Sequence, residues 1–530
     1  MATGTSAGAT SRKAPRKKSR TSSGSAVRPL PEALPGHVRT VVIGAGFGGL
    51  GAAIKLAESG QGDFLVLERG AEVGGTWRDN TYPGAACDVP SQLYSYSFAR
   101  NPGWSRSFSP QPEIQDYLRR TAERSGVLDR FRFGVTVQDA AWDDADQRWR
   151  IETSAGPVSA EVLVSATGPL SEPRLPEIEG IEDFRGEIFH SARWNHDYDL
   201  AGKRVAVIGT GASAIQIVPK VAKAAAHLDV YQRTAPWVIP RWDRPYTGIE
   251  KLGFRLVPGL QQAYRTGIYW GRETFVPAFT RWPWMVEPAR RAALGNLRKG
   301  ISDPELRRKV TPHFRIGCKR ILISNTYYPA LARDNVDVIT DPIAKVTPTG
   351  IVTADGVERE IDALIVATGF YTTDLPIAHH VKGRDGRTLA DAWAESGMTA
   401  YKGSTVNGFP NLFFIIGPNT GLGHSSMVFM IEAQVSYLVS ALRTMTERGL
   451  ATVEPSAEAQ REWNDDLQRR MGPTVWNTGG CASWYLDEHG RNTTLWPRAT
   501  FTFRRLLRTF DPDRYDVTST RPATIKEPAA

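Results

Sequence analysis

The chain has 530 residues, 41 % of them hydrophobic, with 15 tryptophans, which is enough for two or three domains that each bury a core. No run approaches the ~18 consecutive apolar residues of a membrane span, so no transmembrane helix is expected. The net charge of +9 does not mark a nucleic-acid binder: seven cations (Arg12, Lys13, Arg16, Lys17, Lys18, Arg20 and Arg28) lie in residues 1–31, which contain no Asp or Glu, leaving +2 for the rest.

Residues 1–36 are rich in Ser, Thr, Ala and Gly without apolar periodicity, and a disordered basic tail is expected there. A transit peptide shares this composition but adds an amphipathic pattern, and a secretory signal adds an apolar stretch. The tail has neither, which points to a cytoplasmic location. Cys87, Cys318 and Cys481 are odd in number and far apart, with no C-x-x-C pair. That spacing predicts reduced thiols, no metal site and no disulfide redox centre.

Residues 37–170 read as a first dinucleotide-binding domain. Val41-Val42-Ile43 runs into Gly44-Ala45-Gly46-Phe47-Gly48-Gly49, an apolar strand and a G-x-G-x-x-G turn opening a helix whose N-terminus can face a pyrophosphate. The next strand, Phe64-Leu65-Val66-Leu67-Glu68, ends in a carboxylate 24 residues after Gly44, suited to a free ribose 2′-OH as in FAD or NAD. Glycines in Gly74-Gly75-Thr76-Trp77 would let the backbone approach such a cofactor closely. A strand over 161–165 then ends in Ala166-Thr167-Gly168, and Pro169, Pro173 and Pro176 mark an extended linker.

The second domain, 171–370, repeats the device. Val205-Ala206-Val207-Ile208 precedes Gly209-Thr210-Gly211-Ala212-Ser213-Ala214, 165 positions after the first turn, and Arg233 stands 24 residues beyond Gly209. A cation there suits a 2′-phosphate and therefore NADPH, with Thr210, Ser213, Gln216 and Thr234 as further candidates. One dinucleotide of each kind on one chain implies electron transfer between them. Residues 242–312 lack strand alternation and are rich in Arg, Trp and Pro, which predicts a helical insertion. Its Trp270, Trp282 and Trp284 are expected to pack against the body rather than to line a cavity. Ala367-Thr368-Gly369 then repeats the earlier turn, so the chain is expected to return to the first domain over 371–530. Residues 409–416 read as a buried strand, and a helix starting near Met427 would direct its N-terminal dipole toward a flavin. The fold class is α/β with two Rossmann-like domains.

Between the glycine turns, Phe184-Arg185-Gly186-Glu187-Ile188-Phe189-His190-Ser191-Ala192-Arg193-Trp194 resembles the F-x-G-x-x-x-H-x-x-x-W fingerprint of Baeyer–Villiger monooxygenases, in the manner of 4-hydroxyacetophenone monooxygenase. Asn195 follows where that family usually has Pro or Asp. Gly74–Gly84, Cys87-Asp88, Lys319-Arg320 and Ser483-Trp484-Tyr485 extend the resemblance over residues 38–500. It implies an NADPH- and O2-dependent FAD enzyme that inserts one oxygen beside a ketone carbonyl, giving an ester or lactone. Its partners are then a small ketone and O2, with no nucleic acid.

The resemblance also implies roles. Arg320 would stabilise a deprotonated C4a-peroxyflavin and then the tetrahedral oxyanion, with Asp88 orienting it. His190 would act conformationally, Lys319 would join Arg233 at the 2′-phosphate, and Trp484 would contact the nicotinamide cofactor. FAD contacts are expected at Gly44, Gly46, Gly49, Glu68, Gly75, Thr76 and Trp77, and at Asp88, Tyr94, Val137 and Met427. Gly209 and Gly211 would meet the NADPH phosphates. The nearest rival is a flavin-containing monooxygenase oxidising nitrogen or sulfur, which usually closes the fingerprint with another aromatic and needs no such arginine. An NADPH oxidase and a redox sensor are the others. The oligomeric state stays open.

Overall fold

A strand covered on both faces needs a continuous apolar run, and Val41-Val42-Ile43 and Val205-Ala206-Val207-Ile208 supply one just before each glycine turn. In the computed structural model, which describes residues 33–519, β1 (His37–Ile43) runs through a glycine turn into α1 (Phe47–Glu58) and the chain returns as β2 (Phe64–Glu68). The basic tail expected over 1–36 thus falls, for residues 1–32, outside the described residues. Next come α2 (Thr76–Asp79), α3 (Gln111–Ser125) and β3 (Phe131–Phe133). The antiparallel strands β4 (Val137–Asp143), β5 (Arg148–Thr153) and β6 (Val158–Ser165) follow, and β6 lies parallel to β1.

The pattern then recurs. β7 (Glu187–His190), β8 (Arg204–Ile208), α4 (Ala214–Ala224), β9 (His227–Tyr231) and β10 (Val238–Ile239) precede a helical stretch. That stretch holds α5 (Gly248–Leu256), α6 (Leu260–Glu273), α7 (Phe275–Thr280), α8 (Glu287–Gly300) and α9 (Pro304–Lys309). β11 (Leu322–Ile323), α10 (Tyr327–Leu331) and β12 (Val336–Ile339) bring the chain back. A three-stranded flap, β13 (Ile343–Val346), β14 (Gly350–Thr353) and β15 (Glu358–Glu360), leads into β16 (Ala363–Val366). The resulting parallel sheet has the order β12-β9-β8-β16-β7.

The remaining chain rejoins the first sheet: β17 (Val381–Lys382) pairs with β4, and after α11 (Leu389–Ala394), β18 (Leu412–Phe414) pairs with β6. The long α12 (Met427–Arg448) starts on Ser426, whose side chain accepts from the Val428 N–H, and stops at left-handed Gly449. Then follow β19 (Leu450–Pro455), α13 (Ala457–Met471), α14 (Val475–Thr478), α15 (Thr500–Leu506) and β20 (Tyr515–Ser519). Val41 and Val42 of β1 and Val205 and Val207 of β8 are wholly buried, so each glycine turn hangs from the centre of a core. No helix among the described residues is long and apolar enough to cross a membrane.

Two expectations are overturned. Cys318 and Cys481 form a disulfide, and Cys87 alone remains a thiol. Spacing could not reveal this, because the loops carrying the two cysteines meet only through the tertiary fold. The insertion's tryptophans also fail to pack inward: Trp270, Trp282 and Trp284 are 53 %, 46 % and 73 % exposed.

Candidate active site

Backbone crowding builds the first turn. Gly44 has φ +100°, and a Cβ on it would lie 2.7 Å from the Ala166 carbonyl oxygen at the end of β6. A Cβ on Gly49 would lie 1.8 Å from the Gly44 oxygen, so α1 starts tight against the turn. Gly75 faces Gly46, where its Cβ would stand 3.0 Å from the Gly46 Cα. Buried Glu68 accepts from the N–H groups of Ala45 (2.8 Å) and Gly70 (2.6 Å) and pairs with Arg78 at 2.8 Å. Thr76 and Trp77 open α2, and Trp77 Nε1 donates to the Tyr94 hydroxyl at 3.0 Å. Val137 opens β4, half-buried against the core formed with β5 and β6.

The second turn copies the first. Gly209 has φ +117°, and its Cβ would lie 2.5 Å from the Ala367 oxygen at the end of β16. The two Ala-Thr-Gly turns therefore do one job twice: each presents a carbonyl where only glycine fits. Gly211 has nothing within 4 Å of a Cβ position, so this stretch of backbone is bare. The Thr210 hydroxyl donates to the Thr234 carbonyl at 2.9 Å, while Ser213 stands at the N-terminal boundary of α4 without a side-chain cap bond. Gln216 is engaged across the turn, donating to the Ala86 carbonyl (3.0 Å) and accepting from the Tyr82 hydroxyl (3.0 Å). Arg233 is exposed beyond β9. Lys319 is half-buried, and burial, reinforced by the Arg233 charge, pushes its ammonium below the ordinary lysine value. Neither cation pairs with a carboxylate among the described residues.

Asp88 and Arg320, 232 positions apart, meet in a two-pronged pair: Nε and Nη2 of Arg320 donate to the two Asp88 oxygens, each at 2.7 Å. Arg320 Nη1 also donates to the Leu422 carbonyl at 3.3 Å, in the loop that leads to Ser426 and half-buried Met427. The side chains of Arg320 and Asp88 keep 29 % and 25 % of their surface, so a small molecule can reach them. The Asp88 charge holds the guanidinium above its ordinary value despite burial. Burial raises the Asp88 carboxyl, but the Arg320 charge and hydrogen bonds outweigh it and hold it below the usual carboxylate range. Tyr485 lies against Arg320, its phenol pushed up to about 12 by burial, and the ring of exposed Trp484 leans against it, tilted, with centroids 4.4 Å apart.

The linker fingerprint lies along β7, the edge of the second sheet. A Cβ on Gly186 would lie 2.5 Å from the Asp362 oxygen, and Phe184 is buried beside it. The Trp194 ring meets Phe189 edge-on at 4.9 Å. His190 is buried, its Nδ1 accepting from the Ala192 N–H at 3.1 Å, and its ring meets Phe370 just after the second Ala-Thr-Gly turn. Burial, aided by the Arg193 charge and partly offset by the Gly369 backbone, pushes its pKa down to about 4.

Two arginines that the sequence reading did not single out reach the same place. Arg272, in the last turn of α6, directs Nη2 to the Asp88 carbonyl oxygen at 3.5 Å. Arg241 Nη2 donates to the Cys87 and Phe108 carbonyls at 3.3 and 3.2 Å. No motif announces either, because both lie in or beside the irregular insertion.

Residues 41–248 match the family model described as pyridine nucleotide-disulphide oxidoreductase. A Baeyer–Villiger monooxygenase of Streptomyces coelicolor is 53 % identical over 496 residues, covering 93 % of this chain and 95 % of that one. One of Pseudomonas aeruginosa is 49 % identical, covering 93 % and 94 %. Among solved structures, OTEMO in complex with FAD and NADP superposes with a TM-score of 0.81 at 28 % identity, covering 91 % of this chain and 99 % of that one.

Proposed function

The chain belongs to the Baeyer–Villiger monooxygenase family, and on that premise we propose that it oxidises a ketone to an ester or lactone at Arg320. It is an FAD- and NADPH-dependent monooxygenase. We assign FAD to residues 37–170 with 371–519, and NADPH to 171–370. The residues fit both groups. The tight glycine turn with Gly75 facing Gly46, and the Glu68 carboxylate, suit the first, while the bare backbone at Gly211 suits a pyrophosphate and the uncompensated Arg233 and Lys319 a 2′-phosphate. Buried polar atoms without a protein partner also gather at Asn419, His424, Ser425, Thr493 and Thr494, in two segments joined at Gly421 and Leu495. Such orphans are rare in folded proteins, and a polar ring system seated there would satisfy them.

When bound, the cofactors supply two electrons that, with O2 and two protons, deliver one oxygen atom to the ketone and the other to water. The protein's part is electrostatic. Arg320 keeps a fixed positive charge where the reaction builds an oxyanion, and a guanidinium does not lose its proton at working pH. Asp88 engages two of its nitrogens and so fixes the guanidinium plane and the direction of the third, Nη1, which faces the Leu422 loop. The observation that carries this reading is that pair, assembled from distant loops and left a quarter open. Oxidation of soft nitrogen or sulfur calls for no fixed cation, which is why the pair favours the ketone. Arg320→Ala is expected to leave flavin reduction by NADPH intact, seen as bleaching of the flavin absorbance. Ester formation should fall by about 10²–10³-fold, the scale of a lost oxyanion donor. Ester formation at the parent rate would overturn the reading.

A further inference from the structure

We propose that Arg272 is a substrate-recognition residue, and that the ketone this enzyme prefers carries a carboxylate. The inference rests on the ketone oxidation proposed above. It begins from charge balance around Asp88. Arg320 occupies both carboxylate oxygens of Asp88 at 2.7 Å. Arg241 has Asp243 at 3.6 Å and two carbonyl partners. Arg272 has only one, distant, carbonyl partner. Its hydrogen bond is the 3.5 Å approach to the Asp88 carbonyl oxygen, at the limit of such bonds, and no carboxylate pairs with it among the described residues.

Adjacent Glu273 does not serve, because it accepts from the N–H (2.9 Å) and hydroxyl (2.6 Å) of Thr500 and faces His424 at 3.4 Å. Two guanidiniums therefore approach one aspartate, leaving a half-buried cation uncompensated. Burial, reinforced by Arg320 and partly offset by Asp88, holds the Arg272 guanidinium below the ordinary arginine value. A desolvated cation is costly without an anion, and the guanidinium fork matches a carboxylate in two-pronged geometry. Arg320 addresses the side chain of Asp88 and Arg272 its main-chain oxygen, so the two sites lie within one residue's span. A ketone oxygen near Arg320 and a carboxylate on Arg272 then describe an oxo-acid with the two groups a few carbons apart. The carboxylate takes no part in bond making. Oxygen enters between the carbonyl carbon and its neighbour, NADPH supplies two electrons, and the second oxygen leaves as water.

The test uses the full chain loaded with FAD and NADPH, and methyl-ketone acids from 4-oxopentanoate to 9-oxodecanoate, each beside its neutral methyl ester. At least one acid is expected to exceed its ester tenfold in kcat/KM. In Arg272→Met that acid-to-ester ratio should fall at least tenfold, mainly through KM, and Arg272→Lys should restore part of it. Inhibition of the oxidation of a neutral ketone by simple carboxylates should weaken by the same factor in Arg272→Met. Equal handling of acid and ester by the parent enzyme overturns the proposal, as does an unchanged ratio in Arg272→Met. Failure of the parent enzyme to make ester from any member would sink the ketone reading instead. In that case direct binding of the acids by calorimetry, lost or kept in Arg272→Met, still decides the role of Arg272.

Discussion

An imidazole that is only 4 % exposed, wedged between Phe370 and the Ala192 amide, stays neutral where a free histidine would be half charged. That is the state in which His190 Nδ1 can accept a hydrogen bond, so the fingerprint histidine works as a fixed acceptor and not as a proton carrier. The neutral form has a stability consequence. The folded pKa of about 4 lies below the ordinary value of 6.5, so on acidification the unfolded chain takes up this proton first. Stability therefore falls as the pH drops from about 6.5 to about 4, by on the order of 3 kcal/mol from this group. His190→Asn keeps an acceptor and cannot titrate. Its denaturant midpoint should fall less steeply than the parent's across that window, and parallel curves would refute the assignment. The motif marked this residue, but its protonation state depends on burial, which emerges only once β7 and β16 are packed.

Each glycine turn is the product of two strands, not one. The ends of β1 and β8 need positive φ, and the neighbouring β6 and β16 make that need absolute by placing the Ala166 and Ala367 carbonyls at the missing Cβ. Gly209→Ala puts a methyl 2.5 Å from a backbone oxygen at φ +117°, where the backbone alone costs about 1–3 kcal/mol. The second turn should open, and titration calorimetry should show NADP⁺ binding weakened at least tenfold while FAD stays bound. An unchanged affinity would mean that this turn does not hold the nucleotide. The turns and their charged strand ends were legible because they are local, with every residue within about 25 positions of the glycines. The repeated Ala-Thr-Gly was visible too, though its purpose emerged only from the parallel pairing. The exposure of Trp270, Trp282 and Trp284 was not legible. Their sequence dictates helix, whereas burial depends on what lies opposite, and a helical insertion without a repeating pattern does not specify that.

At the scale of the whole molecule, the chain lays down one sheet, builds a second and returns, so residues far apart in sequence share a site. Asp88 reaches Arg320 from the first pass, Arg272 arrives from the insertion, and Tyr485 and Trp484 from the final stretch. Of these, the Asp88, Arg320 and Trp484 roles could be anticipated, and only by resemblance, since no spacing rule links positions 232 apart. The disulfide belongs to the same class of long-range contact. It joins Cys318, two residues before Arg320, to Cys481, three before Trp484, and closes a span of 163 residues. Cross-linking so long a loop removes freedom from the unfolded chain and typically stabilises by about 2–5 kcal/mol. Unfolded without reductant, the protein should show one reactive thiol per chain, Cys87, and after reduction all three of its cysteines. The double variant Cys318→Ser/Cys481→Ser should unfold at lower denaturant. Because the clasp ties the arginine loop to the tryptophan loop, its KM for NADPH should also rise. Three thiols in the unreduced chain would show that the two loops are held by packing alone, through the Tyr485 contact with Arg320, and the double variant should then match the parent in both measurements.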